Sequence, residues 1–415
     1  MEVVIEKLVH GGQGLGTLPD GRKVFVWGAL PGEKVMVHIL KGKRSYAEAL
    51  VERVLEPSPV RIMPREENYL ATSPWQIIGL EAENEYKTLI TKELFTQAHV
   101  ALPEFTTQAD AAREWHYRNK MEYSFWGDDT GIHLALYNRG SHQKAIVTGS
   151  ELAMPAVDTA ARAVAAQLTS LGARAGDLKT VIVRCNQAGE ATVSLFVKLQ
   201  KFTELTLPEG VKALRVYHSN PKSPASVPTK LLQTIGDPLL HDTLLGKPFT
   251  YDADSFFQVN IPIFEQALQR IADHCPAETI TDMYAGIGSI GLSVAKKKVE
   301  LVELDAATAG MARVNAKASS LETKVVETSA EKALDYIQAD RPIIFDPPRA
   351  GLHDHVISRT LEVKPPQVIY LSCNPATQAR DMARLQEAYN VEFFEAYNFF
   401  PHTPHIETLA VLTRK

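Results

Sequence analysis

Apolar and polar positions divide the chain into three stretches of different rhythm. Between Val3 and Leu55 short alternating runs such as "VVIEKLV", "KVFVWGALPGEKVMVHIL" and "AEALVERVL" are cut by Gly-rich, Pro-Asp-Gly and Pro-Gly turns. Alternation at period two between such turns predicts a small antiparallel barrel of short strands. "EPSPVRIMP" then reads as a linker, and "GLEAENEYKTLITKELFTQ", from Gly79 to Gln97, carries helical periodicity. From Trp115 to about Leu245 the pattern is mixed, with strands predicted at "KMEYSFW", "KTVIVRC" and "ATVSLFVKL" and one long helix at "MPAVDTAARAVAAQLTSLG". Beyond it, fully apolar runs alternate with helical stretches: "ETITDMYA", "VELVEL", "TKVVET", "RPIIFDPP" and "PQVIYLSC", with "VEFFEAYNFF" and "ETLAVLTR" following in quick succession. Strands apolar on both faces imply a doubly wound, mostly parallel sheet covered on both sides, and the closing pair predicts an antiparallel hairpin on one edge. The expected units are a barrel over residues 1–57, a mixed α+β region over 58–245 whose helix near 80–97 packs on the last unit, and an α/β unit over 246–415.

A length of 415 residues with 45% hydrophobic composition exceeds one ordinary core and agrees with several units. The three cysteines, Cys185, Cys275 and Cys373, are too scattered for a C-x-x-C metal pattern and too few for a secreted disulfide framework. "MEVVIEKLVHGGQG" lacks the zones of a signal peptide and no apolar run has membrane-spanning length, so a soluble cytoplasmic protein, acting as a monomer, is expected. A formal net charge of -5 excludes a generally basic coat without excluding local patches. One such concentration is Lys41, Lys43 and Arg44, read as a turn that either is simply solvated or touches RNA phosphates.

Candidate chemistry gathers in the last unit. In "DMYAGIGSIGL", Gly286, Gly288 and Gly291 satisfy G-x-G-x-x-G between a strand and a helix, where glycine lets the backbone approach a bound ribose or phosphate. The next strand ends in Glu303, whose carboxylate can accept hydrogen bonds from both hydroxyls of a ribose. A dinucleotide dehydrogenase would show the same two features. The fourth strand separates the alternatives: "IIFDPPRAG" sets Asp346 and Arg349 at the sheet edge where open α/β folds bind ligands, and hydride transfer has no use for them. An acid-Pro-Pro motif here is similar to those of S-adenosylmethionine-dependent methyltransferases acting on nucleic-acid bases.

One strand later, "YLSCNPAT" puts Cys373 at the corresponding edge. A lone cysteine is commonly an inert core residue. At this edge it can act as a nucleophile: a thiolate adding to carbon 6 of uracil turns a poorly nucleophilic carbon 5 into an enolate carbon able to take an electrophilic methyl group. The adduct then carries both methyl and hydrogen on carbon 5, and a base must remove that proton before the thiol leaves. Glu407 in "PHTPHIETL" is the candidate, with His402 and His405 as rivals that instead shape the loop.

Five ordered motifs, "SFFQVN", "DMYAGIGSIGL", "IIFDPPRAG", "YLSCNPAT" and "HTPHIETLAVL", together resemble the RNA uracil-5-methyltransferases. The likeness extends over the chain, with the amino-terminal barrel resembling a TRAM domain and "YRNKMEYSF" the start of the family's central domain. It implies a Rossmann-like methyltransferase domain in which Gln258, Tyr284, Glu303 and Asp346 bind S-adenosylmethionine, Cys373 is the nucleophile and Glu407 the base. Ser289 and Ser329 fall at further cofactor-lining positions, and Arg118, Lys120 and Arg349 are candidates for gripping the RNA.

The chain departs from that family at one place. TRAM-containing members commonly hold an iron-sulfur cluster through a cysteine run followed by Trp-Gln, whereas "MPREENYLATSPWQ" keeps Trp75 and Gln76 but offers residues such as Leu70 and Ser73 where thiolates are needed. No cluster is expected. The barrel points to large-subunit ribosomal RNA and the missing cluster to transfer RNA, with ribosomal RNA favoured. An RNA cytosine-5-methyltransferase would add a Pro-Cys motif that is absent, a pyridine-nucleotide oxidoreductase leaves "DPPR" and "SCNP" unexplained, and a non-catalytic RNA-binding protein has no need of both Cys373 and Glu407.

Overall fold

The computed structural model describes residues 1–140 and 143–415. Strands β1 (Glu2–Leu8), β2 (Gly14–Thr17), β3 (Lys23–Trp27), β4 (Lys34–Gly42) and β5 (Tyr46–Glu56) close into a barrel in the order β1-β2-β3-β5-β4. Alternate residues fill it, Val3 and Ile5 from β1, Val24 and Val26 from β3, Val35 and Val37 from β4, as the period-two pattern requires. Lys41 lies within strand β4, which ends at Gly42, and only Lys43 and Arg44 lie in the turn; all three are exposed.

The segment read as a linker is pinned. Glu33, fully buried, accepts hydrogen bonds from Leu30 N (2.8 Å) and from the Arg61 guanidinium (Nη2, 2.8 Å), and Arg61 also donates to Gly28 O (2.7 Å). A Pro-rich composition signals irregular backbone, and the ion pair that fixes it lies 28 residues apart in sequence.

After a short turn of helix, α1 (Tyr69–Thr72), α2 (Leu80–Gln97) packs against the C-terminal sheet, where Phe95 meets Phe394 edge-on at 4.9 Å between ring centroids. β6 (Thr107–Gln108) follows. The central sheet comprises β7 (Lys120–Asp128), β8 (Gly131–Tyr137), β9 (Lys144–Ile146), β10 (Leu178–Cys185), β11 (Ala191–Val197), β12 (Val211–His218) and β13 (Lys230–Gly236), in the order β13-β12-β11-β10-β7-β8-β9. Helix α3 (Pro155–Ser170) contributes Val157, Ala161, Val164 and Leu168 to its core, an apolar stripe at helical spacing. A hairpin of β14 (Leu239–Leu244) and β15 (Lys247–Asp252) leads onward.

The C-terminal α/β unit contains α4 (Ile261–His274), β16 (Thr279–Met283), α5 (Ser289–Val294), β17 (Lys298–Glu303), α6 (Ala306–Ala318), β18 (Glu322–Glu327), β19 (Ile343–Phe345), α7 (Asp354–Val363), β20 (Gln367–Ser372), α8 (Pro375–Leu385), β21 (Tyr389–Tyr397) and β22 (Glu407–Arg414). Its eight-stranded sheet runs β18-β17-β16-β19-β20-β22-β21-β6. The first five strands are parallel and β22 is antiparallel to both neighbours. The closing hairpin was expected at an edge, yet β6 pairs outside β21 through Ala396↔Thr107 and Tyr397↔Gln108. Two residues are too few to leave a periodic signal, but they cover backbone groups that an open edge would expose. Strand order reverses between β16 and β19, so the carboxyl ends of β16, β17, β19 and β20 frame the crevice where such sheets bind ligands. Among the described residues no helix is long and apolar enough to cross a membrane.

Candidate active site

At that crevice lies a cavity of about 1160 Å³. β16 delivers Tyr284, Gly286 and Ser289 to its wall, β17 Glu303, the loop after β18 Ser329, and the segment preceding α4 Gln258. β19 delivers Asp346 and Arg349, β20 Cys373, and β22 Glu407. Residues spread over 150 positions of sequence thus share one space because parallel strands end on the same side.

The three glycines do different work. Gly286 has φ +59° and an added Cβ would meet nothing within 4 Å, so its backbone opens to the cavity. Gly288 does not line the cavity, contrary to expectation. Its φ is +85° and a Cβ would stand 2.8 Å from Leu292, while one on Gly291 would stand 2.7 Å from Leu301. Those two allow α5 to pack tightly against the sheet. Tyr284 takes the left-handed conformation (φ 66°), unusual for a bulky residue.

Glu303 is held in one orientation, Oε2 accepting from Gly286 N (2.9 Å) and Oε1 from Asp305 N (2.7 Å). Each oxygen keeps a further acceptor site. The sequence reading passed over Asp282, which is fully buried, accepts from Gly291 N (2.8 Å), and is pushed by burial up to about 8. Its signal was position: an acid inside an apolar strand is expected to be paired or neutral.

Cys373 and Glu407 meet through strand register. β20 pairs β22 up to Ser372 opposite Thr408; Cys373 follows Ser372 directly and Glu407 directly precedes Thr408, so both reach the same end of that pair and line one cavity. Burial, followed by the Glu407 and Asp346 charges, pushes the Cys373 thiol up to about 11, and Arg349 opposes the shift. Glu407, 4% exposed, is raised well above the ordinary carboxylate value by burial and then by Asp346, again opposed by Arg349. Burial pushes Asp346 up to about 7.

The two histidines separate. His405 faces the cavity, and burial together with the Arg349 charge lowers it to about 3, leaving it neutral. His402 is fully buried, stacked on Trp115 at 3.8 Å with Nε2 2.9 Å from Glu114, and burial lowers it to about 4. It shapes the loop between β21 and β22. That loop is also held from α2: Glu83 accepts from His402 N (2.9 Å) and Asn398 Nδ2 (2.9 Å), and both Glu83 and Lys87 are fully buried. In sequence both charges look like a solvated helix face, although their i,i+4 spacing is aligned with Ile90 and Thr91 on the buried side.

At the Trp75–Gln76 corner, the Trp75 indole donates to Gly12 O (3.0 Å), Gln76 Nε2 donates to Ser73 Oγ (2.6 Å), and Gln76 Oε1 accepts from Arg65 N (3.0 Å). Of the proposed RNA contacts, Arg118 sits with its guanidinium 5.6 Å from the ring centre of Phe400, a cavity-wall residue. Lys120 is half-buried in β7 and is lowered to about 8 by burial and by Arg184, so it is no open phosphate contact. None of Lys41, Lys43, Arg44, Arg118 and Lys120 lines the cavity.

An acid ending the second strand, an acid-Pro-Pro exit and a thiol beside a carboxylate share one crevice, an arrangement similar to that of methyltransferases that work on nucleic-acid bases. Comparison with known proteins narrows that class. Residues 243–415 match the family described as tRNA (Uracil-5-)-methyltransferase, and residues 1–51 match the TRAM domain. An "uncharacterized RNA methyltransferase" of Lactiplantibacillus plantarum is 30% identical over 446 residues, covering 100% of this chain and 97% of that protein. One of the same description from Bacillus cereus is 29% identical over 445 residues, covering 100% and 96%. The crystal structure of Pyrococcus abyssi tRNA (uracil-54, C5)-methyltransferase in complex with S-adenosyl-L-homocysteine superimposes with a TM-score of 0.80 at 22% identity, over 100% of both chains. The chain belongs to the RNA uracil-5-methyltransferase family.

Proposed function

We propose that this protein transfers a methyl group from S-adenosylmethionine to carbon 5 of a uridine in RNA through a covalent bond between Cys373 and carbon 6. The observation that carries the reading is that Cys373, just past the end of β20, and Glu407, at the start of the paired β22, line the same cavity close enough for the carboxylate charge to act on the thiol. The residues present fit the cofactor: Gly286 leaves open space where a side chain would project, and Glu303 retains acceptor sites for a hydroxyl pair. Gln258, Tyr284, Ser289, Ser329 and Asp346 complete the cofactor wall in this reading. When bound, S-adenosylmethionine supplies the electrophilic methyl group. A volume of about 1160 Å³ exceeds the usual range for one small ligand and leaves room for a base beside it.

Cys373 gives its proton to solvent water as its sulfur adds to carbon 6, which places electron density on carbon 5. Once carbon 5 carries the methyl group, Glu407 accepts the remaining proton there, and the returning electron pair expels the sulfur. A raised carboxyl pKa suits Glu407 to take up that proton. A target inside a stem or folded loop must leave its stack, which costs roughly a few kcal/mol. Arg118, from its place against Phe400, and the exposed Lys41, Lys43 and Arg44 of the barrel are suited to the surrounding RNA.

For the RNA itself we favour large-subunit ribosomal RNA, on the resemblance of the barrel-bearing chain. A transfer RNA substrate has one observation in its favour: the fold match to the Pyrococcus abyssi enzyme extends over the whole chain, so a barrel does not argue against it. Glu407→Gln, incubated with S-adenosylmethionine and RNA from a strain lacking the gene, is expected to accumulate a protein–RNA adduct that survives denaturation. No adduct, together with full activity of Cys373→Ala, would falsify the mechanism. Mapping 5-methyluridine lost from ribosomal and transfer RNA of that strain decides the substrate.

A further inference from the structure

The barrel touches the catalytic unit through the loop between β1 and β2. Gly12 adopts φ +97° and lies so close to the β21–β22 loop that a Cβ would stand 2.4 Å from the Pro404 Cβ. Its carbonyl accepts the Trp75 indole N–H at 3.0 Å, and Gly12 N closes the turn on Val9 O at 2.9 Å. A loop fixed this tightly is a wall of the catalytic unit, whatever else the barrel does.

His10 heads that loop. It is exposed, and its imidazole lies near the side chain of Asn374, the residue after Cys373. Asn374 Nδ2 in turn donates to Arg349 O at 2.9 Å, and Thr377 Oγ1 donates to the same carbonyl at 3.2 Å. His10 and Arg349 therefore both lie beside Asn374, and Arg349 lines the cavity. The Arg349 guanidinium is exposed and makes no hydrogen bond or ion pair among the described residues. The acids whose charges it faces, Asp346 and Glu407, are both raised above the ordinary carboxylate range by burial. A cation without an anion at the lip has room for one supplied by the substrate.

We propose that His10 and Arg349 together hold the phosphodiester next to the target uridine, so that the barrel supplies part of the active-site lip. The inference rests on the uridine reading above: a base inserted far enough to reach Cys373 leaves its ribose at the lip and its phosphates just outside. Arg349 supplies the charge and a planar donor array suited to phosphate. The His10 imidazole carries an N–H that can donate to a phosphate oxygen in either tautomer. Because Asn374 joins both to the nucleophile's own turn, seating the phosphate also steadies Cys373.

The test uses the full-length protein and a short RNA hairpin cut around the uridine mapped as above, made with natural linkages or with one neutral methylphosphonate on either side of that uridine. His10→Ala and Arg349→Ala are each expected to raise the RNA KM about tenfold, equivalent to about 1.4 kcal/mol, with S-adenosylmethionine affinity unchanged. His10→Gln should recover part of the loss. On the methylphosphonate RNA that lacks the clamped charge, the Arg349→Ala penalty should vanish and the His10→Ala penalty should shrink. Equal penalties on every RNA, or a loss confined to S-adenosylmethionine binding, overturn the clamp. If the unaltered protein leaves RNA from the deletion strain unmethylated, the uridine reading itself has failed; if it methylates that RNA and the variants behave like it, only the clamp has.

Discussion

Lys87 Nζ donates a hydrogen bond of 2.6 Å to Asn398 Oδ1 across 311 residues of sequence, and both side chains are completely buried. The same ammonium pairs with Glu83 at 2.8 Å and reaches Phe400 O at 3.3 Å. A helix from the middle of the chain thereby fixes the loop that carries the chain into Glu407.

Removing one partner of such a pair leaves the other charge stranded. Lys87→Met is expected to destabilise the protein by about 3–5 kcal/mol in chemical denaturation, while the double variant Glu83→Gln/Lys87→Met loses clearly less. In the fraction that stays folded, turnover should fall more than RNA affinity, since the loop positions Glu407. A single variant as stable as the unaltered protein would show that the network holds nothing.

Charge near the thiol sets its reactivity. Glu407 and Asp346 both raise Cys373, so Glu407→Gln should lower the thiol pKa from about 11 and move the pH profile of iodoacetamide labelling at Cys373 to lower pH. Arg349→Ala should move it upward. A shift to higher pH in Glu407→Gln would mean that the carboxylate does not act on the thiol.

Asp346 should cost the fold stability near neutrality. Its folded value, about 7, lies above the ordinary 3.8. Between those values the native protein keeps a proton that the unfolded chain has lost, so stability falls as pH rises through the window. Asp346→Asn removes that loss: its melting temperature should exceed that of the unaltered protein by a few °C at pH 8 and the gap should close toward pH 4. A gap independent of pH would contradict the assignment.

The glycine motif makes a paired prediction. Gly286→Ala and Gly288→Ala both impose positive φ on alanine, worth roughly 1–2 kcal/mol, but only the second also drives a Cβ into Leu292. Gly288→Ala should therefore melt lower, whereas Gly286→Ala should weaken S-adenosylhomocysteine binding more, as read by calorimetry. Glu303→Ala is expected to weaken that binding about 10- to 100-fold, the range for hydrogen bonds to a charged group.

Sequence alone determined the features that repeat locally. Apolar runs at period two marked the barrel strands, fully apolar runs between helices marked the parallel sheet, and Gly286, Glu303, Asp346 and Cys373 announced themselves because each follows such a run. Strand ends in a parallel sheet share one side, so placing residues along the chain also placed them together. Tertiary structure alone decided what depends on partners far away. Gly288 turned out to serve packing, because only the position of Leu292 and Leu301 says where a Cβ would go. The burial of Glu83 and Lys87 is accounted for only by Asn398 and the His402 backbone beside them, and β6 is two residues that mean nothing without β21. The loop of His10 and Gly12 meets the β21–β22 loop solely because the barrel docks there. Periodicity reports which face of an element is buried, whereas what buries it is set by contacts that no local pattern encodes.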